Sequence, residues 1–352
     1  MKIAQIAPLV ESVPPRLYGG TERVVSWLTE ELVAQGHEVT LFASGDSRTT
    51  AELYPVVPRA LRLDGIHNSL AYNIIMLDRV AERMAEFDIL HFHIDFFHYP
   101  IFRNMAYKTL TTLHGRQDLP ELPDIYRAFS HMPLVSISDH QRKPVPPVNW
   151  MGTVYHGLPE GQFREGEGKG GYLAFLGRIC PDKGPVEAIE IARRAGMKLK
   201  IAAKVDPVDQ AYFDDLIAPL LARSPHVEFI GEIDDSRKQE FLGNAAALLF
   251  PIGWPEPFGL VMIEAMACGT PVIAFRHGSV PEILEDGLTG FVVDTPQEAA
   301  SAVGRLNQLF RPSIRARFEE RFSAGAMARE YLRIYRRLVH LQGIKTDAVE
   351  AA

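Results

Sequence analysis

Residues 254–274 read Trp254-Pro255-Glu256-Pro257-Phe258-Gly259-Leu260-Val261-Met262-Ile263-Glu264-Ala265-Met266-Ala267-Cys268-Gly269-Thr270-Pro271-Val272-Ile273-Ala274. Two carboxylates in this stretch decide how the rest is read. The apolar run from Leu260 to Cys268 contains no proline and stops at Gly269, which predicts a helix, and Thr270-Pro271 then leads into a strand, Val272 to Phe275. Glu256 therefore falls just before the helix and Glu264 inside it. Eight positions at helical rise separate the two by roughly 12 Å, beyond the roughly 5 to 9.5 Å of an acid/base pair working on one glycosidic bond. Such a pair suits the two ends of one long, hydroxyl-rich ligand, and the unpaired N–H groups at the helix start suit an anion between them. A nucleotide sugar, with ribose, diphosphate and hexose in line, has that shape.

The stretch EPFGLVMIEAMACGTPVIA resembles the signature of retaining glycosyltransferases of the GT-B fold, family GT4. Two glutamates eight apart are common in helices, so the specificity comes from the P-F-G-L between them and the A-C-G-T-P-V after them. The resemblance runs from about residue 2 to residue 340. It implies an α/β fold of two Rossmann-like, doubly wound parallel-sheet domains facing a central cleft. It also implies that Glu256 contacts sugar hydroxyls, that the backbone of Phe258, Gly259, Leu260 and Val261 approaches sugar and diphosphate, and that Glu264 binds the ribose.

Composition agrees. A chain of 352 residues, 47% of them hydrophobic, is long enough for two domains with a core each. A net charge of −7 argues against nucleic acid as the main partner. The two cysteines, Cys180 and Cys268, are far apart in sequence, and no structural disulfide is expected. Met1 to Ala7 runs straight into a strand, too short for a secretory apolar segment, and no run of 18 apolar residues occurs. The expected location is cytoplasmic, where nucleotide sugars are made.

One unit occurs twice along the chain. Lys2 to Ala7 reads as a buried strand, followed by a loop through Tyr18-Gly19-Gly20, a helix from about Thr21 to Gln35 and a strand Glu38 to Ala43. Strand Tyr172 to Leu176, loop Gly177 to Lys183, helix Gly184 to Gly196 and strand Lys198 to Ala203 repeat it. Strand, loop, helix, strand is the unit of a doubly wound parallel sheet, and two starts imply two sheets. We therefore expect a first domain over 1–157, a polar, glycine-rich linker over 158–171 and a second domain over 172–325. Gly166, Gly168 and Gly171 match G-x-G-x-x-G, but they precede a strand instead of following one, which argues against a dinucleotide site. A terminal helix over 326–345 is implied by the resemblance to cross back to the first domain.

Loops at the carboxyl ends of the first strands carry the remaining site residues. Gly19 and Gly20 let backbone approach a phosphate, and the resemblance places them at the donor diphosphate, with Tyr18 on the acceptor side. Phe175-Leu176-Gly177-Arg178-Ile179-Cys180-Pro181-Asp182-Lys183-Gly184 puts a guanidinium and an ammonium where doubly wound sheets bind ligands. This GRxxxxKG pattern is similar to the family's phosphate clamp of Arg178 and Lys183. Phe229-Ile230-Gly231-Glu232-Ile233 is similar to the strand end whose loop, here Glu232 and Ile233, contacts the base. His114, in Thr111-Thr112-Leu113-His114-Gly115, matches the T-x-H-G histidine that reaches the donor sugar near the reacting centre.

His91 and His93 share one side of a strand beside Asp95 and His98, which invites a metal reading, an acceptor-side wall or simple packing. No convincing further ligands accompany them, and the resemblance implies an enzyme that needs no metal and no cofactor. Phe96, Phe97, Tyr99 and Phe102 read either as acceptor lining or as core. Arg329, Arg333, Arg336 and Arg337 recur at helical spacing opposite Leu332, Tyr335 and Val339: a solvated face, or a peripheral contact with an anionic membrane surface or partner. Two positions depart from the family pattern, Gly278-Ser279 where a glycine pair is usual and His156 where an asparagine is usual. The expected reaction moves a hexose from a nucleoside-diphosphate sugar, UDP preferred, to a hydroxyl on a lipid, glycan or small molecule. A nucleotide-sugar epimerase and an idle nucleotide-sugar binder are the alternatives.

Overall fold

Strands that are apolar on both faces need cover on both, and the chain meets that need twice. The computed structural model describes residues 1–16 and 19–350, so Tyr18 lies outside the described residues. The chain divides into two units, Met1–Pro159 with the C-terminal helix Ala324–Glu350, and Glu160–Ser323.

The first unit holds seven strands: β1 (Lys2–Ile6), β2 (Glu38–Ser44), β3 (Glu52–Val57), β4 (Ile89–Phe92), β5 (Thr109–Thr112), β6 (Leu134–Ser136) and β7 (Trp150–Thr153). They pair in parallel in the order β3-β2-β1-β4-β5-β6-β7. Ile89, Leu90, His91 and Phe92 are all buried, as a central parallel strand requires. The helix Gly20–Ala34 follows β1. One core cluster gathers Ala4, Ile6, Phe42, Leu90 and Phe92 with Met76, Leu77 and Val80 of the helix Leu70–Arg83.

The second unit holds β8 (Tyr172–Arg178), β9 (Lys198–Lys204), β10 (Val227–Gly231), β11 (Ala247–Phe250), β12 (Val272–Phe275) and β13 (Gly290–Val293), parallel in the order β10-β9-β8-β11-β12-β13. Both sheets therefore reverse direction beside their first strand, at β1/β4 and at β8/β11. The crevice outside the carboxyl ends at such a point is where this topology takes ligands.

Two expectations change in detail. The stretch read as a linker over 158–171 is laid down against the second unit from Glu160 onward. Gly166 N donates to Cys268 O, Gly168 N to Gly243 O and Gly170 N to Asn244 O, at 3.0, 2.9 and 2.8 Å. Arg311 locks them, its guanidinium reaching Gly166 O, Gly243 O, Cys268 O and the Thr270 hydroxyl. A Cβ on Gly166 would lie 2.2 Å from Gly243 O, so glycine here serves close backbone packing and not a phosphate. The terminal helix starts at Ala324, earlier than expected, and packs within the first unit through Tyr331, Leu332, Tyr335 and Leu338, all buried. Arg329, Arg333, Arg336 and Arg337 are exposed along its other face. Cys180 and Cys268 are free, buried thiols. Among the described residues no helix is long and apolar enough to cross a membrane.

Candidate active site

Arg178 ends β8 and Lys183 stands five residues on, in the turn before the helix Pro185–Ala195. Gly184 makes that turn possible: its φ is +70°, and a Cβ there would lie 2.1 Å from Pro251 O. Gly253 N donates to Asp182 O at 2.8 Å, so the loop after β8 and the loop after β11 are clasped at two points. A third joins them, since Lys183 Nζ lies 2.5 Å from Glu256 Oε2 and 5.5 Å from the centre of the Trp254 ring. The ammonium and the carboxylate expected at opposite ends of a phosphosugar are therefore partners across the switch point of this sheet.

Arg178 rests on two acids, Asp209 at 3.2 Å and Asp206 at 3.7 Å, and Lys204 shares Asp206 at 2.7 Å. None of these partners was visible in the sequence, because β9 and the turn after it bring them in. The helix Leu260–Ala267 begins after Gly259, whose φ of +81° turns the chain sharply, and no side chain caps it. Met262 N turns back to Gly259 O at 3.0 Å, so the N–H groups of Leu260 and Val261, with the positive dipole end, are what the helix offers to an anion. The Phe258 side chain is buried against Phe322, which leaves its backbone as the part a ligand could meet.

Glu264 is buried inside that helix, and Lys238 Nζ reaches its Oε1 at 2.7 Å and Asp235 Oδ1 at 3.2 Å. Lys238 belongs to the helix Asp235–Gly243, and sequence reading missed it as a partner of Glu264. A buried carboxylate held by an ammonium keeps one orientation, as ribose recognition needs. Glu232 is exposed and Ile233 buried, the latter lining a shallow pocket with Tyr172, Lys200 and Arg237.

The departure at Ser279 has a structural role. Gly278 has φ +56°, and a Cβ there would lie 2.3 Å from Glu256 O. Ser279 N donates to Glu256 O at 3.0 Å, and its buried hydroxyl donates to Phe258 O at 2.8 Å. The loop that carries Glu256 is thereby held from behind.

In the first unit, a Cβ on Gly19 would come within 2.7 Å of Pro15, and Gly20 opens the helix Gly20–Ala34. His114 follows β5 and is half-buried; burial pushes its imidazole down to about 3. His91 and His93 are buried, and burial lowers both imidazoles far below their ordinary range. His91 meets the Tyr335 and Thr112 hydroxyls at 2.7 and 2.8 Å; His93 meets His114 and Gln5 at 2.8 and 2.7 Å. All four ring nitrogens are occupied inside the unit. Neither histidine has a ring nitrogen left over for a further partner. Asp95 has φ +51°, and burial raises its carboxyl to about 6. Among the described residues no three His, Cys, Asp or Glu side chains converge as metal ligands. His156, the other departure, stacks on His114 with ring centres 5.3 Å apart and planes 18° from parallel. Tyr99 and Phe102 are core, and Phe97 is exposed.

Comparisons with known proteins give the family. The model of Glycosyltransferase Family 4 matches residues 18–143, and that of Glycosyl transferases group 1 matches 160–326. The phosphatidyl-myo-inositol mannosyltransferase of Mycolicibacterium smegmatis is 26% identical over 100% of this chain and 97% of its own length. The alpha-maltose-1-phosphate synthase of the same organism is 30% identical over 47% of this chain, which spans about half (48%) of that relative. The crystal structure of Anabaena HepE in complex with UDP and glucose, 18% identical, superposes with a TM-score of 0.70 over 95% of this chain and 98% of that one, a likeness of fold. With both halves matched, and with paired cations and carboxylates at the switch point of the second sheet, the chain belongs to the family 4 glycosyltransferases of the GT-B fold.

Proposed function

We propose that this glycosyltransferase moves a hexose from a nucleoside-diphosphate sugar, UDP preferred, to an acceptor hydroxyl with the anomeric configuration kept and without a metal. The observation that carries this reading is the Lys183–Glu256 pair at 2.5 Å, beside the uncapped start of the helix Leu260–Ala267. A diphosphate needs positive charge on one side, and a hexose needs an acceptor of hydroxyl protons on the other. Lys183, Arg178 and the helix N-terminus supply the first, and Glu256 supplies the second. Lys238 orients Glu264 for the ribose. The UDP preference draws support from HepE, a protein of this fold solved with UDP and glucose.

In the reaction, the acceptor oxygen bonds to the anomeric carbon as the bond from that carbon to the phosphate oxygen breaks. The electron pair leaves with the diphosphate, and the hydroxyl proton passes to the same phosphate oxygen. Entry and departure on one face keep the configuration, through an oxocarbenium-like transition state. Preorganised cations stabilise the charge growing on the leaving phosphate.

The test is a thermal-shift and hydrolysis screen against UDP-, GDP- and ADP-sugars with EDTA throughout. Stabilisation by one donor, with slow EDTA-insensitive release of its nucleoside diphosphate, is the expected outcome. Activity only after a divalent metal is restored would overturn metal independence, and binding of no donor would overturn the clamp.

A further inference from the structure

A polar chain crosses the interior of the first unit and ends at His114. Gln5 lies in β1, His91 in β4, His93 just beyond it and Thr112 at the end of β5; Tyr331 and Tyr335 come from the terminal helix, and all six are buried. Gln5 Nε2 donates to the Tyr335 hydroxyl at 3.2 Å, and Gln5 Oε1 faces His93 Nε2 at 2.7 Å. His93 Nδ1 faces His114 Nε2 at 2.8 Å. On the other side, the Tyr335 hydroxyl faces His91 Nδ1 at 2.7 Å, and His91 Nε2 faces the Thr112 hydroxyl at 2.8 Å.

A neutral imidazole has one N–H and one lone pair, so a single choice propagates through such a chain. Burial keeps His91, His93 and His114 neutral. Gln5 Oε1 can only accept, which puts the His93 proton on Nε2 and leaves Nδ1 to accept. His114 must then donate from Nε2, and its lone pair falls on Nδ1. The Gln5 amide proton likewise occupies the Tyr335 oxygen and turns that hydroxyl's own proton toward His91 Nδ1, so every link joins a donor to an acceptor. His114 Nδ1 is buried and has no hydrogen-bond partner among the described residues. An acceptor left in that state is costly unless a ligand completes it.

We propose that Gln5, anchored by Tyr335 and acting through His93, is a positioning residue that fixes His114 as the Nε2–H tautomer and so presents Nδ1 as a hydrogen-bond acceptor for a sugar hydroxyl. Only the nature of the hydroxyl rests on the glycosyltransferase reading; the tautomer does not. Gln5 and Tyr335 lie far from His114 in sequence, so neither would be chosen for mutation from a motif.

The experiment is a long-range proton–nitrogen correlation spectrum of the uniformly 15N-labelled full chain without ligand, with the His114 signals assigned by their loss in His114→Gln. The expected wild-type pattern is Nε2–H. Gln5→Leu and Tyr335→Phe release the ring to a mixture of tautomers, and Gln5→Leu lowers kcat/KM for transfer roughly tenfold, the scale of one hydrogen bond. If Gln5→Leu does not fold, Tyr335→Phe carries the same spectral test. An Nδ1–H pattern in the wild type, or an unchanged Nε2–H pattern in both releasing variants, overturns the proposal. A released tautomer with unchanged kcat/KM removes the sugar contact from it. A wild type with the expected tautomer that turns over no nucleotide sugar counts against the transferase reading instead, which keeps the two failures apart.

Discussion

At the scale of single residues, charge is matched before any ligand arrives. Arg178 leans on Asp206 and Asp209, and Lys183 on Glu256, so a diphosphate would exchange carboxylate partners for phosphate oxygens without desolvating bare cations. Arg178→Ala removes one of those exchanges. We expect a loss of about 3 kcal/mol, roughly a hundredfold, in kcat/KM, with folding retained because Lys204 still serves Asp206. Steady-state kinetics beside a melting curve check it, and unchanged activity would take Arg178 out of the clamp. The residues of this cluster were legible in the sequence because each sits in a short local pattern. Their partners Lys238, Asp206, Asp209 and Ser279 were not, because each comes from another element. The partners of the histidines at 91 and 93 were hidden for a related reason: alternation along a strand says which side they share, not what packs against that side.

At the scale of elements, the two βαβ starts were legible because apolar strands and glycine stops punctuate them. The observed helix Pro185–Ala195 falls within one residue of the expected bounds at each end. The stretch from 158 to 171 shows the limit of composition as a guide, since glycines that suggest freedom serve there to let two backbones touch. Gly184 makes the same point inside the site. Gly184→Ala would force a Cβ to 2.1 Å from Pro251 O at a φ of +70°. The cost should be about 2 kcal/mol, read as a fall of roughly 4–8 °C in Tm. KM for the donor should rise with it, since Lys183 rides on the same turn. A variant with wild-type Tm and KM would show that this turn does not set the clamp.

At the scale of the molecule, buried titratable groups set how stability varies with pH, and they pull in opposite directions. Glu22 is buried in the first turn of the helix Gly20–Ala34, and burial, with the Glu11 carboxylate near, raises it from 4.5 to about 7. The folded chain therefore holds a proton that the unfolded chain has lost between those values, and stability falls as pH rises from 4.5 to about 7. His114, lowered from 6.5 to about 3, acts the other way, because the unfolded chain takes up the proton first and stability falls as pH drops below 6.5. Glu22→Gln isolates the first effect: relative to wild type it should gain up to about 3 kcal/mol between pH 5 and pH 8, measured by denaturant unfolding at each pH. A flat difference across that range would show that Glu22 is ionised when folded. The chain also leaves its first unit at Pro159 and re-enters it at Ala324, and there Ala324 N donates to Leu158 O at 2.9 Å. The exit and the return are thus one hydrogen bond apart, so all of Glu160–Ser323 is in effect a single long insertion into an otherwise continuous fold. The whole second unit could then be exchanged for that of another family member by two cuts in one place, leaving the terminal helix and the histidine chain it anchors untouched.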